Sequence, residues 1–301
     1  MDFSILIGLV STEDSDRIFE VLQSLRNQNG LHRYEVIIGD RRNNTISRRL
    51  DESFPEVKHI SCPADTSLPE LRTLALDSAS GTYIVVIEDH NVPSENWLVS
   101  ILQAFADSPE GTVAVGGCVE NGVYDTPLDW ATFLCEYSYF LEPVDEGETN
   151  TLPGMNVAYH RSAFKNIDRN ILTAGFWETT VHPVLLESGA KFYSSNKIKL
   201  YHSKKFSFRL FAKQRFIYSR YYAGLRFKRV QRLKRSAACA MTLLLPILLL
   251  YRSTLQIRKK NRLKREFKLA MPYLFVFYTI WACGEMVGYM FGKGDALIKI
   301  E

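Results

Sequence analysis

The sequence predicts an α/β fold over about its first 200 residues, followed by basic and apolar helices that associate with a membrane. Three observations lead to this prediction. Strand and helix patterns alternate along residues 1–90, which is typical of a doubly wound sheet of parallel strands. One of these strands ends abruptly in a cluster of charged side chains. Beyond residue 201 the chain becomes rich in basic, aromatic and aliphatic residues.

Four strands are predicted in the first part of the chain, where runs of aliphatic and β-branched residues lie between turn-forming residues. They span Ser4–Val10, Tyr34–Asp40, Val57–Ser61 and Thr82–Glu88. Helices with apolar faces are predicted between them at Asp16–Gln28 and Pro69–Ser78. A further helix follows the fourth strand, with Ser94 as its cap and an inward apolar face that begins at Trp97.

The middle of the chain mixes strands and helices. Strands are predicted at Val113–Glu120 and Leu152–Tyr159, and the polar segment Asp145–Thr151 is predicted to be a mobile loop. Thr126-Pro127 opens an aromatic-rich helix. A second helix is predicted at Glu178–Ser188, where a glycine follows and ends it.

Charge is distributed unevenly along the chain. Residues 1–200 carry 15 Lys and Arg against 29 Asp and Glu, a net charge of −14. Residues 201–301 carry 22 against 4, a net charge of +18. A strongly basic tail indicates nucleic acid or an anionic membrane surface as partner. The apolar runs within the tail favour anionic lipid headgroups and no nucleic acid.

The first part of the tail is predicted to lie at a membrane surface. Residues 201–235 place aromatic and basic side chains at helical spacing, as interfacial helices do, and a solvated basic helix is the alternative. The apolar run Ala237–Tyr251 is only about 15 residues long, too short for about 30 Å of hydrocarbon. Basic clusters flank it on both sides, so the positive-inside rule places both flanks in the cytoplasm. A re-entrant or interfacial helix satisfies both constraints.

A second apolar run, Leu269–Gly292, is long enough to span a bilayer. Within it, Gly284-x-x-x-Gly288 lets another helix approach closely, which favours a homo-oligomer through the carboxyl-terminal helices. Glu285 is costly in lipid and is expected to face protein or the interface. A buried hairpin in a soluble protein is the alternative for the two apolar runs.

The amino-terminal residues have neither the basic region nor the cleavage site of a signal peptide, and they are predicted to form the first strand. The five cysteines show no Cys-x-x-Cys spacing. They are therefore predicted to be reduced thiols in a cytosolic compartment, without a zinc site or disulfides.

Glu88, Asp89 and His90 form the charged cluster at the end of the fourth predicted strand. Open α/β sheets bind ligands outside the carboxyl ends of their strands. Two carboxylates and an imidazole at that edge can hold a divalent cation, which can neutralise a diphosphate. Because side chains alternate along a strand, Glu88 and His90 are expected to share a face. The alternative is the start of a solvated loop.

Several common sites are excluded by their motifs. The sequence contains no G-x-x-x-x-G-K-[ST] phosphate loop, and no G-x-G-x-x-G follows the first strand. A G-x-S-x-G nucleophile elbow is also absent from the sequence.

The remaining motifs follow the order found in family 2 glycosyltransferases, and the chain resembles this family from about Ser4 to Gly224. Ser4-Ile-Leu-Ile-Gly-Leu-Val-Ser-Thr resembles the family's first strand and nucleotide-contacting turn, with Ser11 or Thr12 at the turn. The resemblance gives Asp40, at the end of Glu35-Val-Ile-Ile-Gly-Asp40, a contact with the nucleotide base. Arg72, in Leu71-Arg72-Thr73, is expected to face the nucleotide.

Glu88-Asp89-His90 stands where this family has its Asp-x-Asp motif, and the resemblance implies a divalent cation there, Mn²⁺ or Mg²⁺. His202 resembles a late family histidine that faces the diphosphate or the metal, and a structural histidine is the alternative. In Gly175-Phe-Trp-Glu-Thr-Thr180 the family's usual Glu-Asp is Glu-Thr. Glu178 is then the expected catalytic base, with a helix-capping glutamate as the alternative.

The resemblance implies a GT-A (Rossmann-like) nucleotide-diphospho-sugar transferase domain at 1–200, with a nucleotide-binding half at 1–111 and an acceptor half at 112–200. Interfacial helices at 201–235 and two hydrophobic membrane-associated helices at 236–301 follow. The expected activity is inverting transfer of one sugar to a lipid-linked or glycan acceptor at the cytoplasmic membrane face. A polyprenyl-phosphate glycosyltransferase, a non-catalytic membrane scaffold and a nucleotidyltransferase are the alternatives.

Overall fold

The computed structural model describes residues 1–11, 16–30, 32–42, 46–226 and 232–300. Contacts within the chain divide it into two compact units. The first comprises Met1–Gly122 and Phe140–Lys204, and the second comprises Val123–Tyr139 and Lys205–Glu301. The second unit thus takes in one segment from the middle of the chain. The domain boundaries at residues 200 and 235 stay predictions.

Four parallel strands form one side of the sheet in the first unit. In chain order the elements are β1 (Phe3–Leu9), α1 (Arg17–Arg26), β2 (Tyr34–Asp40), α2 (Ser47–Ser53), β3 (Lys58–Ser61), α3 (Leu68–Asp77) and β4 (Tyr83–Val86). The strands lie in the order β3-β2-β1-β4, with parallel pairing throughout. The four predicted strands and both predicted helices are confirmed. The unpredicted α2 is short and polar and buries only Leu50.

The other side of the sheet is mixed. The chain continues through β5 (Asn91–Pro93), α4 (Trp97–Asp107), β6 (Thr112–Asn121), α5 (Pro127–Tyr137), β7 (Gly147–Thr149), β8 (Val157–His160), α6 (Arg169–Ala174), α7 (Glu178–Glu187) and β9 (Lys191–His202). The strand order continues β4-β8-β6-β9-β5, and β7 also pairs with β9. β8 is antiparallel to both of its neighbours, so the parallel arrangement predicted from residues 1–90 does not extend to this side of the sheet.

The fourth strand ends earlier than predicted, at Val86 rather than Glu88. Residues 88–90 form a turn in which the Asn91 amide donates to the Glu88 carbonyl at 3.1 Å. The expectation that strand alternation puts Glu88 and His90 on one face is therefore wrong in its premise. A turn brings these two side chains together instead.

Two other boundaries also differ from the prediction. Ser94 does not cap α4 through its side chain; Asn96 is the N-cap residue, and the Ser94 carbonyl accepts the Trp97 amide at 3.1 Å. β8 begins at Val157 rather than Leu152, because the chain first turns and the Asn156 amide donates to the Pro153 carbonyl.

β7 and β9 were not predicted as strands. β7 lies inside the segment predicted to be a mobile loop, and it is held by antiparallel pairing with β9. The centre of β9, Ser194–Asn196, breaks the apolar alternation, and its register with β6 shifts between Gly117 and Cys118. Both strands are defined by pairing with distant segments, which a local sequence pattern does not show.

A buried carboxylate ties the amino ends of the central strands together. Glu35 accepts hydrogen bonds from the Ser4 hydroxyl at 2.6 Å and from the backbone and hydroxyl of Ser80 at 2.7 Å. Lys58 pairs with its other oxygen at 2.5 Å. The Ser4 hydroxyl also accepts the Gly81 amide at 2.8 Å, so this network fixes the start of β4.

The second unit is helical. It contains α5, α8 (Phe208–Arg226), α9 (Arg232–Met241), α10 (Leu245–Lys260) and α11 (Lys264–Phe291). Thr126 caps α5 through a capping box, as the sequence predicted. Two described segments, Lys234–Lys260 and Lys264–Phe291, are long and apolar enough to cross a membrane, because each contains an 18-residue stretch of high mean hydropathy, 1.6 in the first and 1.4 in the second.

Gly284 and Gly288 allow α11 and α8 of the same chain to pack closely. An added Cβ at Gly284 would lie 2.5 Å from the Phe216 carbonyl oxygen, and one at Gly288 would lie 2.5 Å from that of Arg220. The motif therefore serves packing within one chain, and the predicted oligomer would need another surface.

Candidate active site

The turn between β4 and β5 brings the predicted metal ligands to the carboxyl edge of the sheet. Antiparallel pairing of β5 with β9 sets Asn91 opposite His202. His202 is the last residue of β9, so its side chain meets the turn that carries Glu88 and His90. One carboxylate oxygen and two imidazole nitrogens, from Glu88, His90 and His202, lie within 4.8 Å of one another.

The geometry gives His90 a central position in this cluster. Its Nε2 lies 3.1 Å from Nε2 of His202 and 3.4 Å from a Glu88 oxygen. Its Nδ1 lies 2.7 Å from an oxygen of Asp89. Asp89 thus stands behind the imidazole, where it can hold the proton on Nδ1 and leave Nε2 to bind a ligand.

The two imidazoles have opposite pKa shifts. Burial alone would lower the pKa of His90, but hydrogen bonds with Asp89 and Glu88 outweigh burial and raise it. Burial and the charge of His90 hold the pKa of His202 well below its ordinary value. Although burial opposes it, the bond to His90 and the nearby charge of Arg72 lower the pKa of Glu88.

The donor set suits a divalent cation. A carboxylate oxygen with two imidazole nitrogens matches Mn²⁺ better than an all-oxygen set would, and it also admits Mg²⁺. Both polar atoms of the Asn91 side chain are fully buried and have no hydrogen-bond partner among the described residues. Unpartnered buried polar atoms are rare and are often satisfied by a bound ligand or water.

Arg72 connects this cluster to the segment that carries Glu178. Its guanidinium donates to the Phe176 carbonyl at 3.0 Å and lies 3.5 Å from a Glu88 oxygen. The side chain is only 3% exposed, and its Nε has no partner among the described residues. Arg72 was predicted to face the nucleotide. In the structure its contacts run between Glu88 and the start of α7.

Glu178 is the first residue of α7 and lies directly over Gly154. A Cβ at Gly154 would be 1.9 Å from an oxygen of Glu178, so any larger residue there would force this carboxylate to move. The N-cap residue, Trp177, makes no side-chain cap. The resemblance predicts an aspartate at the position of Thr179, whose hydroxyl is buried without a partner among the described residues. No second carboxylate therefore accompanies Glu178 in this dipeptide.

Asp40 lies fully buried at the end of β2. The backbone amide of Arg42 donates to Asp40 at 2.8 Å, and its guanidinium pairs with Asp40 at 3.1 Å. His59 contacts the other oxygen at 3.2 Å. Burial would raise the pKa of Asp40, but these bonds hold it lowered.

The turn after β1 is described only in part. The Ser11 carbonyl accepts the Arg42 guanidinium at 3.3 Å, so Ser11 adjoins the Asp40 cluster. Thr12 lies outside the described residues.

Sequence reasoning missed several residues of this site. Arg42 and His59 hold Asp40. The Tyr159 hydroxyl of β8 lies 2.7 Å from Nε2 of His182, a buried residue of α7. Burial lowers the pKa of His182 to about 3, so this imidazole is neutral. Burial would raise the pKa of Asp89, but the hydrogen bond and charge of His90, with the charge of the buried Lys204, lower it. The only signal in the sequence was the position of Arg42, two residues after Asp40.

Comparison with protein families identifies the chain's relatives. The family model "Glycosyl transferase family 2" matches residues 10–168, more than half of the 301 residues. The chain belongs to glycosyl transferase family 2. The matched region of this glycosyltransferase includes Asp40, Arg72 and Glu88–His90, and it ends before Glu178 and His202. No curated protein sequence matches the chain.

A solved structure, that of a mannosyltransferase, confirms the GT-A fold of the glycosyltransferase. The mannosyltransferase PcManGT from Pyrobaculum calidifontis, solved with GDP-Man and Mn²⁺, has a TM-score of 0.56 at 13% identity. The match covers 92% of this chain and 85% of the PcManGT chain. S. aureus TarS 1–349 has a TM-score of 0.49 at 12% identity and covers 74% of this chain. The glycosyltransferase spans 64% of that TarS structure.

Proposed function

We propose that this glycosyltransferase moves one sugar from a nucleotide-diphosphate sugar to a membrane-linked or glycan acceptor, with inversion and with the help of a divalent cation. The convergence of Glu88, His90 and His202 supports the proposal most directly. Three metal-ligating groups meet at the edge where α/β sheets bind ligands, in a chain whose family transfers sugars.

Glu88, His90 and His202 would hold the cation, offering one carboxylate oxygen and two imidazole nitrogens. Asp89 keeps His90 in the tautomer whose Nε2 is available. When bound, the cation neutralises the charge that develops on the leaving diphosphate. Lys204 and Arg42, whose charges act on Asp89, add positive potential at this edge.

Glu178 accepts the proton of the acceptor hydroxyl while the oxygen of that hydroxyl attacks the anomeric carbon of the donor sugar. The bond from that carbon to the diphosphate oxygen breaks, and the nucleoside diphosphate leaves with the bonding electrons. Direct attack from the opposite face inverts the configuration. Arg72 positions this base relative to the cation site, because it contacts both Glu88 and the Phe176 carbonyl two residues before Glu178.

The nucleotide is proposed to lie along β1, β2 and α3. Ser11, Thr12, Asp40 and Arg72 are the residues that the family resemblance assigns to it. Because Asp40 is buried and paired with Arg42 and His59, its role would be to present those two side chains as well as to contact the base. This assignment stays a proposal.

A lipid-linked acceptor at the cytoplasmic membrane face fits the second unit, with its net positive charge and two long apolar helical segments. A polyprenyl phosphate is the second candidate acceptor. A phosphate is already ionised near neutral pH and needs little help from a base. The Thr179 hydroxyl in place of a carboxylate favours this candidate.

The decisive experiment is incubation of the purified full chain with membrane lipids and a panel of nucleotide sugars, followed by mass spectrometry of the lipid extract. A lipid whose mass rises by one hexose or aminohexose residue, with release of nucleoside diphosphate, is the expected result. Pyrophosphate released from a nucleoside triphosphate would indicate a nucleotidyltransferase. Absence of any transfer and of metal-dependent nucleotide binding would indicate a scaffold.

A further inference from the structure

Helices α8 and α11 lie parallel and in contact along the whole of α8. Phe208, at the start of α8, packs on Phe277 with ring centroids 5.3 Å apart. Near the other end, an added Cβ at Gly224 would lie 2.3 Å from the backbone nitrogen of Lys293. Between these contacts, Gly284 and Gly288 bring the two backbones together. If this unit binds a membrane, the α11 segment from about residue 273 onward must therefore lie at the same depth in the bilayer as α8.

α8 is too polar to lie in hydrocarbon. Basic residues occur along its full length, at Arg209, Lys213, Arg215, Arg220 and Arg226. Arg215 pairs with Glu136 of α5 at 2.6 Å and lies 5.3 Å from the Trp281 ring of α11. A path of α11 across the bilayer would carry these cations and the Glu136 carboxylate into the lipid with it, which is strongly unfavourable.

Most of the exposed apolar side chains of this unit lie elsewhere. On α10 and the turn before it, apolar side chains face outward, among them Leu243 at 70% and Ile247 at 64% exposure. On α11 most of the exposed apolar side chains precede Phe277: Leu269, Met271, Tyr273, Phe275 and Val276. These exposed side chains of α10, of the turn before it and of the first part of α11 together are called here the apolar face. The face includes the part of α11 that α8 leaves uncovered.

Basic residues border the apolar face at both ends of the Lys234–Lys260 segment. Lys234 and Arg235 lie at one end, and Arg258 and Lys259 lie at the other, next to Arg262 in the turn before α11. By the positive-inside rule, clusters of cations at both ends of this segment place both ends at the headgroups of the same, cytoplasmic leaflet. Anionic headgroups complement this border.

We propose that the second unit is monotopic. The apolar face enters one leaflet of an anionic phospholipid bilayer, Lys234–Lys260 lies in the plane of the membrane, and neither this segment nor α11 crosses it. This goes beyond the sequence prediction, in which Leu269–Gly292 was long enough to span. The proposal does not depend on the reaction that the first unit catalyses.

Site-directed cysteines test this topology with an impermeant maleimide on intact and lysed cells. Cys239 and Cys283 are first replaced by alanine, and cysteines are introduced singly at exposed positions Glu110, Asn261 and Asp295. Labelling of all three only after lysis is the expected result, together with retention in the membrane through a carbonate wash. Labelling of Asp295→Cys in intact cells would show that α11 crosses the membrane. Labelling of Asn261→Cys in intact cells would show that Lys234–Lys260 and α11 both cross it. Either result overturns the proposal, as does release by the carbonate wash.

Vesicle flotation of the purified chain gives a second measurement. Ile247→Glu places a charge on the apolar face and is expected to lower partitioning into vesicles containing phosphatidylglycerol by roughly tenfold or more. Val99→Glu is the matched control, because Val99 is an exposed aliphatic residue of the first unit, at 39% exposure. Equal flotation of Ile247→Glu and the wild type would overturn the proposal.

Discussion

The Nε2 atoms of His90 and His202 lie 3.1 Å apart, although 112 residues separate them in the sequence. At this distance one ring can donate a hydrogen bond to the other, or both can turn their lone pairs to one cation. Asp89 holds Nδ1 of His90, and burial keeps His202 neutral by lowering its pKa. With Nε2 of His90 deprotonated, both imidazoles can bind one cation together with Glu88.

Glu178→Gln is expected to lower turnover by about 10²-fold or more while nucleotide affinity stays unchanged, because the amide cannot accept the acceptor's proton. Glu187→Gln is the matched control: it removes an exposed carboxylate from the other end of α7. Steady-state rates and calorimetry check both variants. Near-normal turnover of Glu178→Gln would point to a phosphate acceptor or to a different base.

Gly154→Ala tests the same base without altering it. The new methyl group would occupy the position of a Glu178 oxygen, so the carboxylate must move. Turnover should fall as it does in Glu178→Gln, with a normal melting temperature. A variant with full activity would show that the position of Glu178 over Gly154 is not needed for catalysis.

Arg72→Lys is expected to lower kcat by about 10²-fold with little change in KM for the donor. Lysine keeps the charge but cannot contact Glu88 and the Phe176 carbonyl with one planar group. A merely structural role would lower the melting temperature and leave the kcat of the folded fraction intact. A large rise in donor KM would instead support the original assignment of Arg72 to the nucleotide.

Metal affinity should depend on pH through His90. The pKa of His90 is raised above its ordinary value of about 6.5, because the hydrogen bonds with Asp89 and Glu88 outweigh burial. The cation must displace this proton, so affinity for Mn²⁺ should be full above the raised pKa and should fall as pH decreases through it. Calorimetric titration with Mn²⁺ at several pH values measures the effect. An affinity that stays constant down to pH 6 would contradict it.

The fold of β1 to β4 could be predicted from sequence because each strand is a continuous apolar run, as in Tyr34–Asp40. β9 could not, since its polar centre becomes a strand only by pairing with β6. In the site, the Glu88–His90 cluster was visible at a strand end. The contact of His90 with His202 followed only from the family resemblance, and the link that Arg72 makes between Glu88 and Phe176 is a tertiary contact without a local pattern.

Glu35→Gln tests the anchor at the start of β4. Burial would raise the pKa of Glu35, but bonds with Lys58, Ser4 and Ser80 lower it to about 2. The carboxylate therefore contributes stability above its unfolded pKa of about 4.3, and this contribution is lost as pH falls towards 2. The substitution should lower the free energy of unfolding at pH 7 by about 1–3 kcal/mol.

Urea unfolding at pH 7 and pH 3 measures this effect, with the exposed Glu52→Gln as control. The difference between Glu35→Gln and the wild type should be smaller at pH 3. A difference that does not change with pH would show that the charge of Glu35 is not what stabilises the strand.

Calorimetric titration of the full chain with nucleoside diphosphates, with and without Mn²⁺, tests the central claim most directly. The wild type should bind one nucleoside diphosphate far more tightly with Mn²⁺ than with a chelator present. His90→Ala should bind equally weakly in both conditions, while the control variant His160→Ala, at a half-exposed histidine, keeps the metal dependence. Unchanged metal-dependent affinity in His90→Ala would contradict the assignment of the cation to Glu88, His90 and His202.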